Sequence, residues 1–475
     1  MPNPPVDAAT EEKKPFPYRL IGGEKGGDIL ESDDESRHRR IQALLAQWMR
    51  MENVVVLMGA GCSCSPRIGG LSMYDLENQV LALLGRRYQL TSKGNLQKVI
   101  TSRQMDTLLG DHDTPHFEQW LSYLSNIRHL LAAKGNPIVD IKIRVGIGEE
   151  SESLSLDASE ADELLKDLER AIYTCCALRL PPVTEEDEMG GATGHHAFLS
   201  KLVARDASLG RSHVFTLNYD TVIEQALDHL GIQYFDGFTG RTEALFDPAA
   251  YGLDVYFPGE VAEGRVRRFD KFLHLYKLHG SIHWRERPDQ AMTASHSDLS
   301  SFVAWRGKTD AEKPSAGFDA LWKDEDRRIG ILPTSNKFVQ TLDMPYAHLF
   351  RLFHQRLHVP QTFFLVMGYG FGDDHVNQII DQAMTNPSLV LLVVTPGKPT
   401  PAMEERIRRY RSVGERAFLL RSSKDEFDPK VATFDDFAHN LLPHVQWVED
   451  FRKLKRFENE IRQATSGNAG GGGSE

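Results

Sequence analysis

Four short stretches of the 475-residue chain combine residue types that could do chemistry: Gly59-Ala60-Gly61, Asn218-Tyr219-Asp220, His279-Gly280 and Gly368-Tyr369-Gly370. Each follows a short apolar run, so each is expected at the carboxyl end of a strand. A glycine turn between a strand and a helix offers backbone N–H groups and a helix N-terminus to a phosphate. An asparagine is an uncharged donor and acceptor, and a histidine can act as a base near neutral pH. Taken singly, a glycine pair is also a tight turn, an asparagine a cap, and a histidine a core or surface residue. At equivalent positions of one sheet, the four would converge on a single crevice.

The elements that must position them are legible in outline. Val54-Val55-Val56-Leu57-Met58 runs without polar alternation, as expected of a strand buried on both faces of a parallel sheet. It breaks at Gly59-Ala60-Gly61, and a helical pattern with Leu76, Val80 and Leu83 follows. A Cβ at Gly59 or Gly61 would hold a pyrophosphate away from the backbone. The third glycine of G-x-G-x-x-G falls on Cys64, so this reads as a nucleotide turn that is not a hydride-transfer turn. HVFTLNYD (213–220) is a strand followed by the helix TVIEQALDHLG, and LHLYKLHGSIHW (273–284) is another strand entering a turn. GILPTS (330–335) is a further short strand, and FFLVMGYGFGDDHVNQIIDQAM repeats strand, glycine turn and helix. SLVLLVVTPG reads as another fully buried strand, and HVQWV as a small final one. Strands alternating with helices predict an α/β fold, a doubly wound Rossmann-like parallel sheet whose ligands sit at the carboxyl ends of its strands.

Around that sheet, residues 1–36 are rich in Pro, Gly, Asp and Glu and read as a flexible leader. The segment 35–50 carries Ile41, Leu44, Leu45 and Trp48 on one helical face. A helical insert is expected at about 74–200, with Phe117, Trp120, Leu121, Leu124 and Ile127 at helical spacing. Within it, GEESESLSLDASEADELLKD (148–167) reads as an acidic surface loop or arm before a helix, and 183–192 as a second acidic loop. The main domain then runs over 37–445, and 446–475 is a C-terminal helix with a linker-like Gly-rich tail.

Composition narrows the function classes. No apolar run approaches the ~20 residues of a membrane span, and no apolar signal core precedes residue 36, so a cytoplasmic protein without a membrane partner is expected. The net charge of −12 gives no general attraction to nucleic acid, and the basic run around Arg408 reads as a solvated helix face. Four cysteines in so long a chain do not make a disulfide framework.

The sequence resembles the sirtuin-like superfamily, in particular the bacterial sirtuin-like domains of anti-phage defence systems. GAGCS (59–63) matches the first motif of that family, with Gly70-Leu71-Ser72 where its Gly-hydrophobic-Pro element lies. TLNYD (216–220) matches the Thr-x-Asn-x-Asp motif, KLHGSIHW (277–284) the histidine motif, and GYGFGDDHVN (368–377) the late glycine turn. The resemblance runs from about Val54 to Pro443, where TFDDFAHNLLP looks like the closing helix.

The resemblance implies an NAD glycohydrolase that releases nicotinamide and ADP-ribose as an abortive-infection effector, with NAD as substrate. An NAD- or ADP-ribose-binding scaffold and an NAD-dependent deacylase are the alternatives. It implies that Asn218 binds the ribose hydroxyls and the attacking water, and that His279 acts as general base or polarises a ribose hydroxyl. Asp220 would orient Asn218 or stabilise the cationic ribose, a helix N-cap role being the other reading. Gly59, Ala60, Gly61 and Ser63 would carry the pyrophosphate, while Gly368, Tyr369 and Gly370 would face the adenosine half. His283 and Trp284 read as wall residues. Two departures stand out. Ser72 replaces the family's proline, and Cys62, Cys64, Cys175 and Cys176 cannot form the two C-x-x-C pairs of a zinc ribbon, so no metal is expected. By the same resemblance the chain works as a homo-oligomer with a partner such as a HerA-like ATPase or a short Argonaute, with no direct contact to nucleic acid.

Overall fold

The computed structural model describes residues 16–23, 26–30, 34–90, 140–145, 152–181, 192–206, 208–240, 242, 244–257, 268–287, 292–294, 299–308, 328–331 and 344–443. In chain order the strands are β1 (Tyr18–Gly22), β2 (Gly27–Asp28), β3 (Asn53–Met58), β4 (Asp140–Val145), β5 (Glu152–Asp157), β6 (Ser212–Thr216), β7 (Gln233–Phe235), β8 (Phe238–Thr239), β9 (Ala244–Phe246), β10 (Phe272–Lys277), β11 (Gly280–Glu286), β12 (Met292–Ala294), β13 (Arg328–Ile331), β14 (Thr362–Met367), β15 (Leu389–Thr395) and β16 (Ala417–Ser422). The helices used below are α1 (Asp34–Trp48), α2 (Met73–Leu90), α3 (Ala158–Cys176), α4 (Gly194–Val203), α5 (Val222–His229), α6 (Ser300–Arg306), α7 (Tyr346–Leu357), α8 (Asp374–Ala383) and α9 (Pro401–Val413).

Among the described residues, nine strands form one sheet in the order β2-β1-β16-β15-β14-β3-β6-β10-β7. From β16 to β7 every neighbouring pair is parallel. The expected doubly wound sheet is therefore what the chain builds. At its centre Val54 to Met58 are wholly buried, because both faces of β3 are covered. Val54, Val56 and Met58 pack in one core with Ile41 and Leu45 of α1, Phe198 and Leu202 of α4 and Leu227 of α5. Val55 and Leu57 pack in the other with Leu349 and Phe353 of α7, Val376 of α8 and Ile407 of α9. Burying an aliphatic side chain of this size contributes about 1.5–3 kcal/mol.

The structure corrects three boundaries. The segment read as a flexible leader contains β1, paired antiparallel with β16 from Tyr18↔Ser422 to Ile21↔Leu419. Tyr18 and Leu20 point into the core, and the Tyr18 hydroxyl donates to Asp436 Oδ2 at 2.9 Å. The acidic stretch 148–167 is not all loop: β5 pairs with β4 (Ile141↔Leu156), and α3 begins at Ala158. Leu164, Leu165, Leu168 and Ile172 bury one face of α3, and the partly exposed Asp162 pairs with Lys166 at 3.1 Å. The insert thus contains a hairpin besides helices, and α4, placed at its end by the sequence reading, belongs to the core under the main sheet.

Arg408 on α9 is exposed, as the solvated-face reading expects. Its neighbours Arg406 and Arg409 hold Asp381 at 2.9 and 2.6 Å. The helix expected around 117–127, the acidic loop at 183–192 (apart from Ala192), the end of GILPTS, HVQWV and the tail lie outside the described residues. No helix among the described residues is long and apolar enough to cross a membrane.

Candidate active site

The parallel register lines up four strand ends. Met367 of β14 pairs with Met58 of β3, Met58 with Thr216 of β6, and Thr216 with Lys277 of β10. The residues that leave this row are Gly368, Gly59, Leu217 and Leu278, so all four chemistry-bearing stretches emerge side by side. The chain passes from β3 to β6 on one side, while β14 lies on the other. The row therefore spans the point where strand order reverses, the place where an open α/β sheet leaves a crevice.

The two glycine turns touch. Gly59 N–H donates to Met367 O at 2.9 Å and Gly61 N–H to Gly368 O at 3.0 Å. A Cβ on Gly59 would collide with the carbonyl oxygen of Gly368, and one on Gly61 would lie 2.8 Å from Gly368 Cα. Gly368 has φ +64°, and its Cβ would lie 2.5 Å from the Cys62 nitrogen. The glycines at 59, 61 and 368 are thus required by one another, before any phosphate is considered. Gly370 is different: a Cβ there meets open space.

Across the crevice floor, Ser63 joins the first turn to β6. Asn218 Nδ2 donates to Ser63 Oγ at 3.1 Å, and Ser63 Oγ donates to Asp220 Oδ2 at 2.9 Å. Ser63 is 3% exposed and its hydroxyl proton is committed to Asp220, so it serves the asparagine in addition to any role toward a pyrophosphate. The chain Asp220–Ser63–Asn218 fixes the amide with Oδ1 on its other side. That oxygen is buried and has no hydrogen-bond partner among the described residues. A buried acceptor left unpaired costs about 1–3 kcal/mol, and so fits a site that a donor completes. Asp220 reaches Asn218 through Ser63, and its Oδ1 accepts from Val222 N–H at 3.0 Å, the residue standing just before the N-cap Thr221 of α5.

Burial pushes the Asp220 carboxyl above its ordinary range, with the Lys277 ammonium, Val222 N–H and Ser63 hydroxyl pulling it back. Lys277 donates to the Asp220 carbonyl oxygen and to Glu224 Oε1, the latter at 2.9 Å. A carboxyl raised on folding contributes stability below its unfolded pKa and loses it as pH rises through the folded value. Ionised Asp220 is therefore a burden near neutral pH. Asp220→Asn keeps an acceptor for Val222 and turns an amide NH2 toward Ser63, whose hydroxyl oxygen can accept it, and is expected to stabilise the protein there by about 1 kcal/mol. The gain should vanish as pH falls below the ordinary carboxylate range. Melting curves of both proteins across pH check this, and a neutral-pH loss would refute it.

His279 sits in the turn between β10 and β11 and is 6% exposed. Its Nε2 lies 2.9 Å from Asp373 Oδ2. Asp373 caps α8, its Oδ1 accepting from His375 N–H at 3.0 Å and Val376 N–H at 3.4 Å. Tyr369 braces the same turn, its hydroxyl donating to Asn377 Oδ1 at 2.9 Å and accepting from Asp373 N–H at 3.2 Å. Tyr369 is buried, and its hydroxyl is bonded within the turn. The sequence reading quoted Asp373 inside its motif without giving it a role. The available signal was an acidic pair after a glycine turn, which reads as a helix cap. Trp284 is buried beside Phe238.

Ser72, in the place of the family's proline, accepts from Asp75 N–H at 3.1 Å and so caps α2. Cys62 is buried with Sγ 3.4 Å from Met367 O, and burial pushes its thiol up. Among the described residues no three His, Cys, Asp or Glu side chains are grouped to hold a metal ion.

Comparison with known families finds a SIR2-like domain over residues 212–415, less than half of the chain. The matched span holds Asn218, Asp220, His279, the Gly368 turn and Asp373, and leaves out Gly59 to Ser63. No curated protein matches the chain. SIR2-like domains use NAD and are generally NAD-dependent enzymes. The part of the chain that carries Asn218, His279 and the late glycine turn is thus similar to a SIR2-like domain.

Proposed function

We propose that this chain hydrolyses the N-glycosidic bond of NAD. The observation that carries the reading is the Asn218 oxygen, buried and without a partner among the described residues, at a strand end aligned with the one that leads to the His279–Asp373 pair. Cleavage of the nicotinamide–ribose bond passes through an oxocarbenium-like transition state, as other glycosyl cleavages do. Asn218 Oδ1 accepts a hydrogen bond from a ribose hydroxyl or from the water. The water oxygen bonds to C1′, the C1′–N bond breaks with its electron pair going to nicotinamide, and His279 takes the proton. ADP-ribose and nicotinamide leave. The first glycine turn supports a reading as the pyrophosphate site, and the open side of Gly370 supports one for the adenosine half.

The deacylase alternative lacks support in the cysteines, which do not form zinc-ribbon pairs. A pure scaffold would have no use for a base placed by a carboxylate. By the sequence resemblance, we extend the reading to an anti-phage effector: a homo-oligomer kept silent until a partner such as a HerA-like ATPase, or a short Argonaute, engages it.

Incubating purified protein with NAD, with and without an acyl-peptide, tests the reading. Free nicotinamide is expected in both arms once the partner is supplied. Release only with the acyl-peptide would replace hydrolysis by deacylation, and NAD binding without release, with the partner supplied, would replace it by the scaffold. Activity should also survive strong chelators, with elemental analysis finding no stoichiometric zinc. One tightly bound zinc per chain, with activity lost on its removal, would overturn the metal-free assignment.

A further inference from the structure

We propose that Asp373 is a positioning residue that selects the tautomer of His279, making Nε2 the protonated nitrogen and Nδ1 the base. The proposal deepens the hydrolase reading above and rests on it for its kinetic arm. Asp373 Oδ2 lies 2.9 Å from His279 Nε2, both side chains being nearly buried. The other oxygen, Oδ1, accepts two backbone N–H groups at the start of α8. A carboxylate that accepts two N–H groups at a helix N-terminus is held ionised by them and by the helix dipole. An ionised carboxylate only accepts, so the neutral imidazole must present N–H from Nε2. The lone pair is then on Nδ1, and that nitrogen receives the proton of the attacking water, directly or through a ribose hydroxyl. The same carboxylate stabilises the imidazolium that results.

This pairing links two distant parts of the chain. His279 belongs to the β10–β11 turn, and Asp373 to the turn after β14, where Tyr369 and Asn377 brace it. Asn377 Nδ2 further donates to Phe371 O at 2.9 Å. The turn read as facing the adenosine half therefore also sets the protonation pattern at the ribose end.

Asp373→Asn separates positioning from folding. Asparagine is as good a cap as aspartate, so Oδ1 can still accept from His375 and Val376. The amide NH2 would then face His279 Nε2, which must become the acceptor, moving the ring proton to Nδ1. Turnover is expected to fall ~100- to 10,000-fold, with KM nearly unchanged and melting temperature within a few degrees of wild type. In a His279→Ala background the same substitution should add no further loss, because it acts only through the histidine.

A second readout needs no turnover. 15N-histidine-labelled protein, with His279 identified by difference from His279→Ala, should show the Nε2–H tautomer in wild type and Nδ1–H in Asp373→Asn. A wild-type Nδ1–H ring, wild-type turnover in folded Asp373→Asn, or an added loss in the His279→Ala background would each overturn the proposal. A wild-type protein that, with the partner supplied, binds NAD without hydrolysing it would overturn the hydrolase reading instead, and the ring signals would still decide the tautomer.

Discussion

His279→Ala is expected to reduce NAD cleavage by ~100- to 10,000-fold, the usual contribution of a positioned acid or base, while the protein remains folded. The ring lies at the end of the β10 row, outside the apolar cores that β3 divides. Asp373, its partner, keeps two backbone donors when the imidazole is removed. Nicotinamide release measured under saturating NAD, alongside a melting curve, separates chemistry from folding. Wild-type turnover in the folded variant would remove His279 from the mechanism.

The second large effect concerns stability. Gly368→Ala is expected to cost about 3–5 kcal/mol, because two penalties fall together at one position. The left-handed φ of +64° strains any side chain by about 1–2 kcal/mol, and the new methyl group would stand 2.5 Å from the Cys62 nitrogen. That nitrogen belongs to the first glycine turn, so relief requires the two turns to part. Gly370→Ala, two residues on, is the control: its Cβ meets open space, and stability should change by less than about 0.5 kcal/mol. If the adenosine half sits there, Gly370→Ala should instead raise KM for NAD. Chemical denaturation of both variants reads the contrast. Equal stability losses would mean that the close approach of the turns is not what demands glycine.

The comparison between 368 and 370 also shows how much of the site was legible in the sequence. Val54 to Met58, unbroken and apolar, announced a central strand, and its glycine turn announced a crevice. The types Asn218, Asp220 and His279 were visible because polar residues at strand ends are few. What each glycine is for was not visible. Gly59 and Gly61 read as room for a pyrophosphate, whereas their missing Cβ atoms first make room for Gly368, a residue some three hundred positions away. Ser63 and Asp373 were obscure for the same reason, their partners being fixed by strand order and not by local spacing. β1 was hidden because its inward residues, Tyr18 and Leu20, are only two apolar side chains between turn-rich segments. At β5 the Leu154–Leu156 alternation was masked by the acidic residues around it, which composition alone reads as loop.

The contact between the glycine turns has a consequence for synthesis of the protein on the ribosome. β3 emerges early, but one of its two sheet neighbours is β14, which follows after most of the chain has been made. Gly61 cannot find Gly368, nor His279 find Asp373, until that late strand has left the exit tunnel. Domains fold as their segments become available, and pairings this distant in sequence form last. A nascent or prematurely terminated chain therefore holds Asn218 and His279 without the turn that completes their crevice. Under the proposed NAD hydrolysis, the order of translation is itself a safeguard: a fragment that ends before β14 lacks the completed crevice.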